Sequence, residues 1–249
     1  MPEALKFEEQ DEVGASTLEV IAKADKFNQW MYQAIKPYCR GKVLEIGSGI
    51  GNISRFFMQD QFEILLTDIR KGYCKTLETN FKQHPCFLGT EVMDLTDPNF
   101  DQKFAQHLGQ YDTVFALNVI EHIYDDVLAV ANCKKLLKQG GQLIVLVPSY
   151  QKLYNGFDKE LGHYRRYTIP LLREVFQKNH FKIIHKQYFN FIGIFGWYVT
   201  GSLLKKETIP SGQMALYNTF VPIFKVIDKV LLNLAGLSTI VVGKKTRSN

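Results

Sequence analysis

Paired cysteines are missing from this chain. Its four, Cys39, Cys74, Cys86 and Cys133, stand far apart without a CxxC pair, which excludes the usual spacing of a zinc cluster and a disulfide framework. Reduced thiols are expected, and no bound metal. The pattern of a secretory leader is not expected either, because MPEALKFEEQDEV is acidic and polar where a basic and then an apolar region would be needed. A cytoplasmic location is the expectation, with peripheral contact to a membrane as an option. No internal repeat or low-complexity stretch is present. The uncharged stretch Gln187 to Leu204 is short and interrupted by Gly193, Gly196 and Gly201, too broken for a transmembrane span.

With 249 residues, 46% apolar and 22% charged, the chain can bury one substantial core, so a single domain over residues 1–249 is expected. Its net charge of +5 is unevenly spread. From Lys182 onward nine Lys or Arg face only Glu207 and Asp228. That skew suits an anionic substrate or lipid surface, and it equally suits solvated lysines on helical faces.

Apolar runs of strand length alternate with helical patterns. The strand candidates are Val43–Gly47, Glu63–Asp68, Phe87–Asp94, Tyr111–Val119, Gln142–Pro148, Lys182–Phe189 and Ser238–Lys244. Helices are expected at Ile53–Gln59, Cys74–Lys82, Asp101–Leu108, Asp125–Leu137 and Pro170–Lys178, the last with Thr168 as a capping side chain. Strand alternating with helix implies an α/β fold, a mainly parallel sheet covered on both faces.

The chemistry begins after the first strand, where VLEIGSGIGNIS places Gly47, Gly49 and Gly51 between strand and helix. Glycines there allow a tight turn and close approach of a nucleotide-like ligand. The spacing is GxGxG rather than GxGxxG, with Asn52 and Ser54 following, which disfavours a dinucleotide and with it a nicotinamide oxidoreductase. Glu45, at the end of the strand, suits a cationic amino acid moiety. Asp68 ends the second strand, where a carboxylate can accept from both hydroxyls of a ribose. Asp94 ends the third and can accept from an adenine amino group, with Met93 or Leu95 against the ring. Asn118, Val119, Glu121 and His122 follow the fourth, so four strand ends converge on one crevice.

In this order, EIGSGIG, LLTD, MDL, ALNVIEHI and LKQGGQLIVLVPS resemble the successive motifs of the class I S-adenosylmethionine-dependent methyltransferases, over roughly residues 28–186. The resemblance implies a three-layer Rossmann-like fold with a seven-stranded sheet of order 3-2-1-4-5-7-6, its last strand antiparallel. It also implies S-adenosylmethionine as cofactor, S-adenosylhomocysteine as product, and cofactor contacts from Glu45, Gly47, Ser48, Gly49, Gly51, Asn52, Asp68, Ile69, Met93, Asp94, Leu95, Asn118 and Val119. The upstream stretch FNQWMYQAIKPY is similar to a helix found in a bacterial subgroup often encoded with glycosyltransferases. Residues 1–40 are thus expected to form a helical cover, with Trp30 or Tyr32 either closing over the cofactor or simply packing.

Acceptor features are less specific. A hydroxyl or ammonium acceptor must lose a proton, and His163 is the preferred base, with His122 as the other candidate. The loop YNGFDKELGHYRRYT offers Tyr154, Tyr164, Arg165 and Arg166 for an acidic or phosphorylated group, or a salt-bridged loop with no acceptor contact. Residues 190–236 form an apolar insertion between the last two strands, expected to serve as an acceptor lid with Trp197 in its wall. Phe220, Phe224, Ile227 and Leu231 give it an amphipathic helix, which also suits a homodimer interface or a membrane surface.

The expected function is methyl transfer to a small hydrophobic or lipid-like acceptor, at oxygen by slight preference, otherwise at nitrogen or carbon of a small metabolite or sugar derivative. A nucleic-acid methyltransferase lacks support here, since the chain has no NPPY-like tetrad and no long basic-aromatic stripe. A noncatalytic binding protein on the same fold would need a damaged cofactor pocket.

Overall fold

The computed structural model describes residues 12–206 and 210–246. Among them a seven-stranded sheet runs in the order β3-β2-β1-β4-β5-β7-β6. Its strands are β1 (Val43–Ile46), β2 (Ile64–Asp68), β3 (Phe87–Val92), β4 (Tyr111–Leu117), β5 (Leu137–Pro148), β6 (Phe181–Phe189) and β7 (Ser238–Lys245). The first five pair in parallel, and β7 is antiparallel to both β5 and β6. This is the Rossmann-like methyltransferase topology that the motifs implied.

Helices α1 (Glu12–Ala22) and α2 (Asp25–Ile35) precede the sheet. Between strands lie α3 (Ser54–Gln59), α4 (Lys71–Phe81), α5 (Phe100–Lys103), α6 (Asp126–Leu136), α7 (Gly156–Glu160) and α8 (Ile169–Lys178). The central strands β1 and β2 are buried along their whole length and mostly apolar because both faces are covered. Successive side chains point to opposite faces, so Leu44, Val114 and Val145 join one core with Val130 and Phe176, while Val43, Phe115 and Ile144 join another with Ile35 and Phe57. Phe57 stacks on Phe115 with ring centroids 4.7 Å apart. All four cysteines are free.

Several boundaries differ from the sequence reading. β5 begins at Leu137 rather than Gln142: Gly140 takes a left-handed φ of +78°, and the register shifts beside Tyr111. The helix expected at 101–108 breaks into α5 and a 3-10 turn at Ala105–His107. Thr168 precedes α8 in extended conformation but its side chain makes no capping hydrogen bond, leaving Pro170 as the start signal. α7 was not expected; Asn155 and Asp158 close a capping box there.

Between β6 and β7 the chain adds α9 (Phe191–Trp197), a π-helical turn at Tyr198–Leu203, and α10 (Ser211–Val230). α10 is longer than the apolar pattern implied and continues through Pro222. It is tied to the N-terminal helices, where the Phe27 amide donates to Asn218 Oδ1 at 3.1 Å and Lys225 Nζ to Gln33 Oε1 at 2.6 Å. Its far end is pinned by Asp228, which accepts from the amides of Asn190 at 2.6 Å and Phe191 at 2.8 Å. No helix among the described residues is long and apolar enough to cross a membrane.

Candidate functional site

One cavity of about 740 Å³ opens along the carboxyl ends of β1, β2 and β4, the place where open α/β sheets bind ligands. Its floor is the glycine turn. Gly47 has φ +69°, and a Cβ there would lie 2.4 Å from Val119 Cγ2, so only glycine lets the turn pass under the loop after β4. Ser48 locks the turn to β2: its amide donates to Thr67 O at 2.8 Å and its Oγ accepts from the Thr67 amide at 3.2 Å.

Asp68, at the end of β2, is buried and ties two backbone segments. Oδ2 accepts from the Gly49 amide at 3.0 Å and Oδ1 from the Arg70 amide at 2.9 Å. Burial raises its pKa, and these donors oppose the rise. The Ile69 amide adds a third backbone donor, and the acceptor capacity that remains faces the cavity, where a ribose hydroxyl can use it. Glu45 is buried in the same wall and accepts from Ser54 Oγ. Burial pushes its pKa up to about 8, against the bonds from Ser54 and Ser48, and the Asp68 charge adds to the rise. Asp94 Oδ1 accepts from the Thr96 amide at 2.7 Å and its hydroxyl at 2.8 Å. Asn118 sits at φ +55° with its amide donating to Leu146 O at 2.8 Å, which turns the chain over the cavity.

A second group of ionisable side chains faces the same space. The ligand-bearing atoms of Glu121, His122 and His163 lie within 4.8 Å of one another. The two imidazoles meet edge to face with centroids 4.6 Å apart. His163 Nδ1 bonds Asp158 Oδ1 at 2.8 Å. That same oxygen accepts from Arg166 Nε at 2.8 Å, while Arg166 Nη1 donates to Ser149 O at 3.1 Å. Burial works against ionised Asp158, yet the donors from His163 and Arg166 together hold its pKa below the ordinary value. His122 is pushed down to about 3 by burial and then by the charges of His163 and Arg70, so it is a neutral imidazole. Glu121 is fully buried with neither carboxyl oxygen hydrogen-bonded, and burial lifts its pKa to about 8.

The cavity gathers most of the residues singled out from sequence, from Glu45 and the glycine turn to His122, His163, Tyr164, Arg166 and Trp197. Gly51 is not among its lining; its close neighbour is Phe81, 2.4 Å from where a Cβ would lie. Tyr154 and Arg165 also stand outside it. The Tyr154 hydroxyl donates to His163 O at 2.8 Å, and Arg165 spans Asp126 at 2.9 Å and Tyr124 O at 2.7 Å, so both brace the loop. Arg166 reaches the lining but its guanidinium is committed to Asp158, to Ser149 and to the face of Trp197, 4.4 Å from the ring centroid. Trp30 and Tyr32 do not cover the cavity: Trp30 packs on Phe189 at 4.4 Å, and the Tyr32 hydroxyl donates to Asp60.

Their neighbours Phe27, Asn28 and Met31 face the cavity instead, with Leu18 from α1. Sequence reasoning missed these residues, and Asn28 in particular, whose buried Oδ1 has no hydrogen-bond partner. The signal was present in the polar Asn inside an apolar helical pattern. The cavity fits S-adenosylmethionine by its own chemistry: a glycine floor, a carboxylate with acceptor capacity left toward the cavity, and a buried carboxyl and amide oxygen suited to a cationic amino acid head.

Comparison with known proteins agrees. Residues 44–143 match the model of a methyltransferase domain family. A hybrid PKS-NRPS synthetase of Macrophomina phaseolina is 34% identical over 127 residues, which are 48% of this chain and 3% of that protein. A highly reducing polyketide synthase of Pyrenophora dematioidea is 29% identical over 127 residues, 47% of this chain and 5% of that one. The chain therefore spans a small fraction of the curated relatives it matches. Among solved structures, the methyltransferase held by the Trm112 activator of Haloferax volcanii superposes with a TM-score of 0.66 at 15% identity, covering 97% of this chain and 99% of that one. Phosphoethanolamine N-methyltransferase 2 of Haemonchus contortus, with S-adenosylmethionine bound, gives 0.62 at 17% identity over 95% of this chain and 59% of its own. The CurJ carbon methyltransferase gives 0.55 at 16% identity over 90% and 54%.

Proposed function

We infer, for a chain that carries an S-adenosylmethionine-dependent methyltransferase domain, that it methylates a small hydrophobic or lipid-like acceptor at oxygen. The observation that carries this reading is the mixed lining of one cavity. The glycine floor, Glu45 and Asp68 share it with an uncharged wall from the insertion, Gly193, Gly196, Trp197, Met214 and Tyr217. An apolar wall beside a few convergent polar groups is the pattern of a small-molecule site.

S-adenosylmethionine supplies a methyl group on a positively charged sulfur, which needs no further activation. In this reading Asp68 holds the ribose, Asp94 the adenine edge, and Glu45 with Asn28 the cationic amino acid head. Asp158 fixes the tautomer of His163 by accepting from Nδ1, which leaves Nε2 as the basic nitrogen for the proton of an acceptor hydroxyl. His122, neutral and half-buried, shapes the pocket without adding a positive charge that would repel the cofactor. Trp197 and Tyr217 exclude water, so orientation and desolvation do most of what the protein must do.

A second reading, methylation at carbon, draws on the polyketide synthase relatives and on the likeness to a carbon methyltransferase. α2, with Phe27 and Met31 over the cavity, supports placing the chain in the bacterial subgroup often encoded with glycosyltransferases, which keeps a sugar-lipid acceptor in view.

Calorimetric titration with S-adenosylmethionine and S-adenosylhomocysteine, on the wild type and on Asp68→Ala, tests the cofactor half. Binding in the micromolar range, about −8 kcal/mol, is expected for the wild type and its loss for the variant. No binding to well-folded wild type would leave a noncatalytic protein on this fold. The acceptor half is tested by methyl transfer from labelled cofactor to lipid-like hydroxyl compounds set beside amines and activated carbon acids.

A further inference from the structure

The insertion has an outer side that the site does not use. α10 is a helix of 20 residues, and its inward side chains Met214, Tyr217, Val221 and Phe224 pack on the core or line the cavity. Its outward stripe, Leu216, Phe220, Ile223, Val226 and Val230, recurs at the three- and four-residue spacing of one helix face. These side chains are 63%, 43%, 55%, 61% and 73% exposed. The stripe runs on into exposed Leu231, Leu232 and Leu234 after the helix. The adjoining α9 and its π-helical turn add Phe195, Tyr198, Val199, Leu203 and Leu204, all exposed. So many large apolar groups on two neighbouring helices exceed the scattered exposure normal for a protein surface.

Among the described residues of this segment the exposed charges are of one sign. Lys205, Lys206 and Lys229 are exposed. The acidic residue described in this segment, Asp228, is buried and bonded to the Asn190 and Phe191 amides. We propose that the outer face of α9 and α10 docks this protein on an anionic lipid bilayer, lying in the interface plane. Apolar side chains there enter the acyl boundary, Tyr198 sits at headgroup depth, and the lysines meet anionic headgroups. A second copy of the chain is the poorer occupant, because an isologous pair would bring the exposed Lys205, Lys206 and Lys229 of the two copies toward one another while Asp228, the carboxylate described in this segment, is buried. The opposite sides of the same two helices, through Gly193, Trp197, Gln213 and Met214, form the cavity wall. Docking would therefore set that wall beside the bilayer from which a lipid-like acceptor comes. This last step rests on the proposed function; the docking itself does not.

The test is co-sedimentation of the full chain with vesicles of phosphatidylcholine alone and of phosphatidylcholine with phosphatidylglycerol, at low and high salt, without acceptor or turnover. The wild type is expected to pellet with the anionic vesicles, weakened by salt. The triple variant Leu216→Ser, Ile223→Ser, Val226→Ser is expected to bind more than about tenfold more weakly. The pair Lys205→Glu, Lys206→Glu, which leaves the apolar stripe intact, is expected to lose the preference for anionic vesicles. Binding of S-adenosylhomocysteine by both variants checks that they fold; were the triple variant misfolded, the lysine pair alone decides. Wild type that stays in the supernatant with anionic vesicles overturns the proposal. So does light scattering that shows a dimer dissociated by the triple variant.

Discussion

Cofactor affinity should depend on pH through Glu45. Burial holds this carboxyl near pKa 8 in the free protein, so at pH 6 about one molecule in a hundred carries the charge that a cationic amino acid head prefers. Binding must first remove the proton, at about 1.36 kcal/mol for each unit below the pKa. Two units cost about 2.7 kcal/mol, or about a hundredfold in affinity. The dissociation constant for S-adenosylhomocysteine, which shares the amino acid head but lacks the sulfonium charge, is thus expected to fall nearly tenfold from pH 6 to pH 7, and less steeply toward pH 8. Calorimetry in buffers of different ionisation enthalpy should register close to one proton released per S-adenosylhomocysteine bound at pH 6.5. Glu45→Gln removes both that slope and that proton, while Glu121→Gln, at the other buried carboxyl near pKa 8, keeps them. A flat wild-type profile with no proton release would refute the reasoning, and so would an unchanged slope in Glu45→Gln.

Glu121 gives a stability prediction of definite sign. Its folded pKa is raised from 4.5 to about 8, so its contribution is fully present below the unfolded value and is lost as pH rises through the window from 4.5 to about 8. The melting temperature of Glu121→Gln relative to wild type should therefore climb between pH 5 and pH 8; a constant difference across that range would mean Glu121 is ionised in the fold. His163→Asn should lower kcat by about 10²–10⁴ for a hydroxyl acceptor while leaving S-adenosylhomocysteine affinity within about twofold, and an unchanged kcat would remove His163 from proton transfer. Chelators should leave turnover intact; inhibition by a chelator reversed by zinc would reassign Glu121, His122 and His163 to a divalent cation.

Much of the strand-end side of the cavity was legible in sequence because each of its parts is local. The glycine turn, Asp68, Asp94 and Asn118 each end or closely follow a strand, and short apolar runs bounded by turn residues mark such ends. Asn28 and Leu18 were not legible as cavity residues: their helices read as packing segments, and only the tertiary fold folds them over the glycine floor. The side of the cavity formed by the loop after β5 and by the insertion was harder still. Arg165 and Arg166 look alike in GHYRRY, yet one spans Asp126 and Tyr124 at the rim and the other is buried against Asp158. Which arginine meets solvent depends on α7, a single turn whose capping box gave no apolar period to find. α10 was legible as amphipathic from Phe220 onward, but its outer stripe was not, because pattern alone does not tell which of two apolar faces the core covers.

The two buried carboxyls also bear on product release. Glu45 has donors from Ser54 and Ser48, whereas Glu121 has none, and both share the cavity with whatever charge the ligand brings. S-adenosylmethionine carries a fixed positive charge on sulfur that S-adenosylhomocysteine lacks. In a dry cavity that charge favours ionised carboxyls, and its disappearance on transfer lets their pKa values rise again. Binding of the substrate cofactor should therefore release more protons than binding of the product, by a difference that Glu121→Gln diminishes. Measured near pH 7 in paired buffers, equal proton release for the two ligands would place Glu121 beyond the reach of the sulfur and refute the coupling.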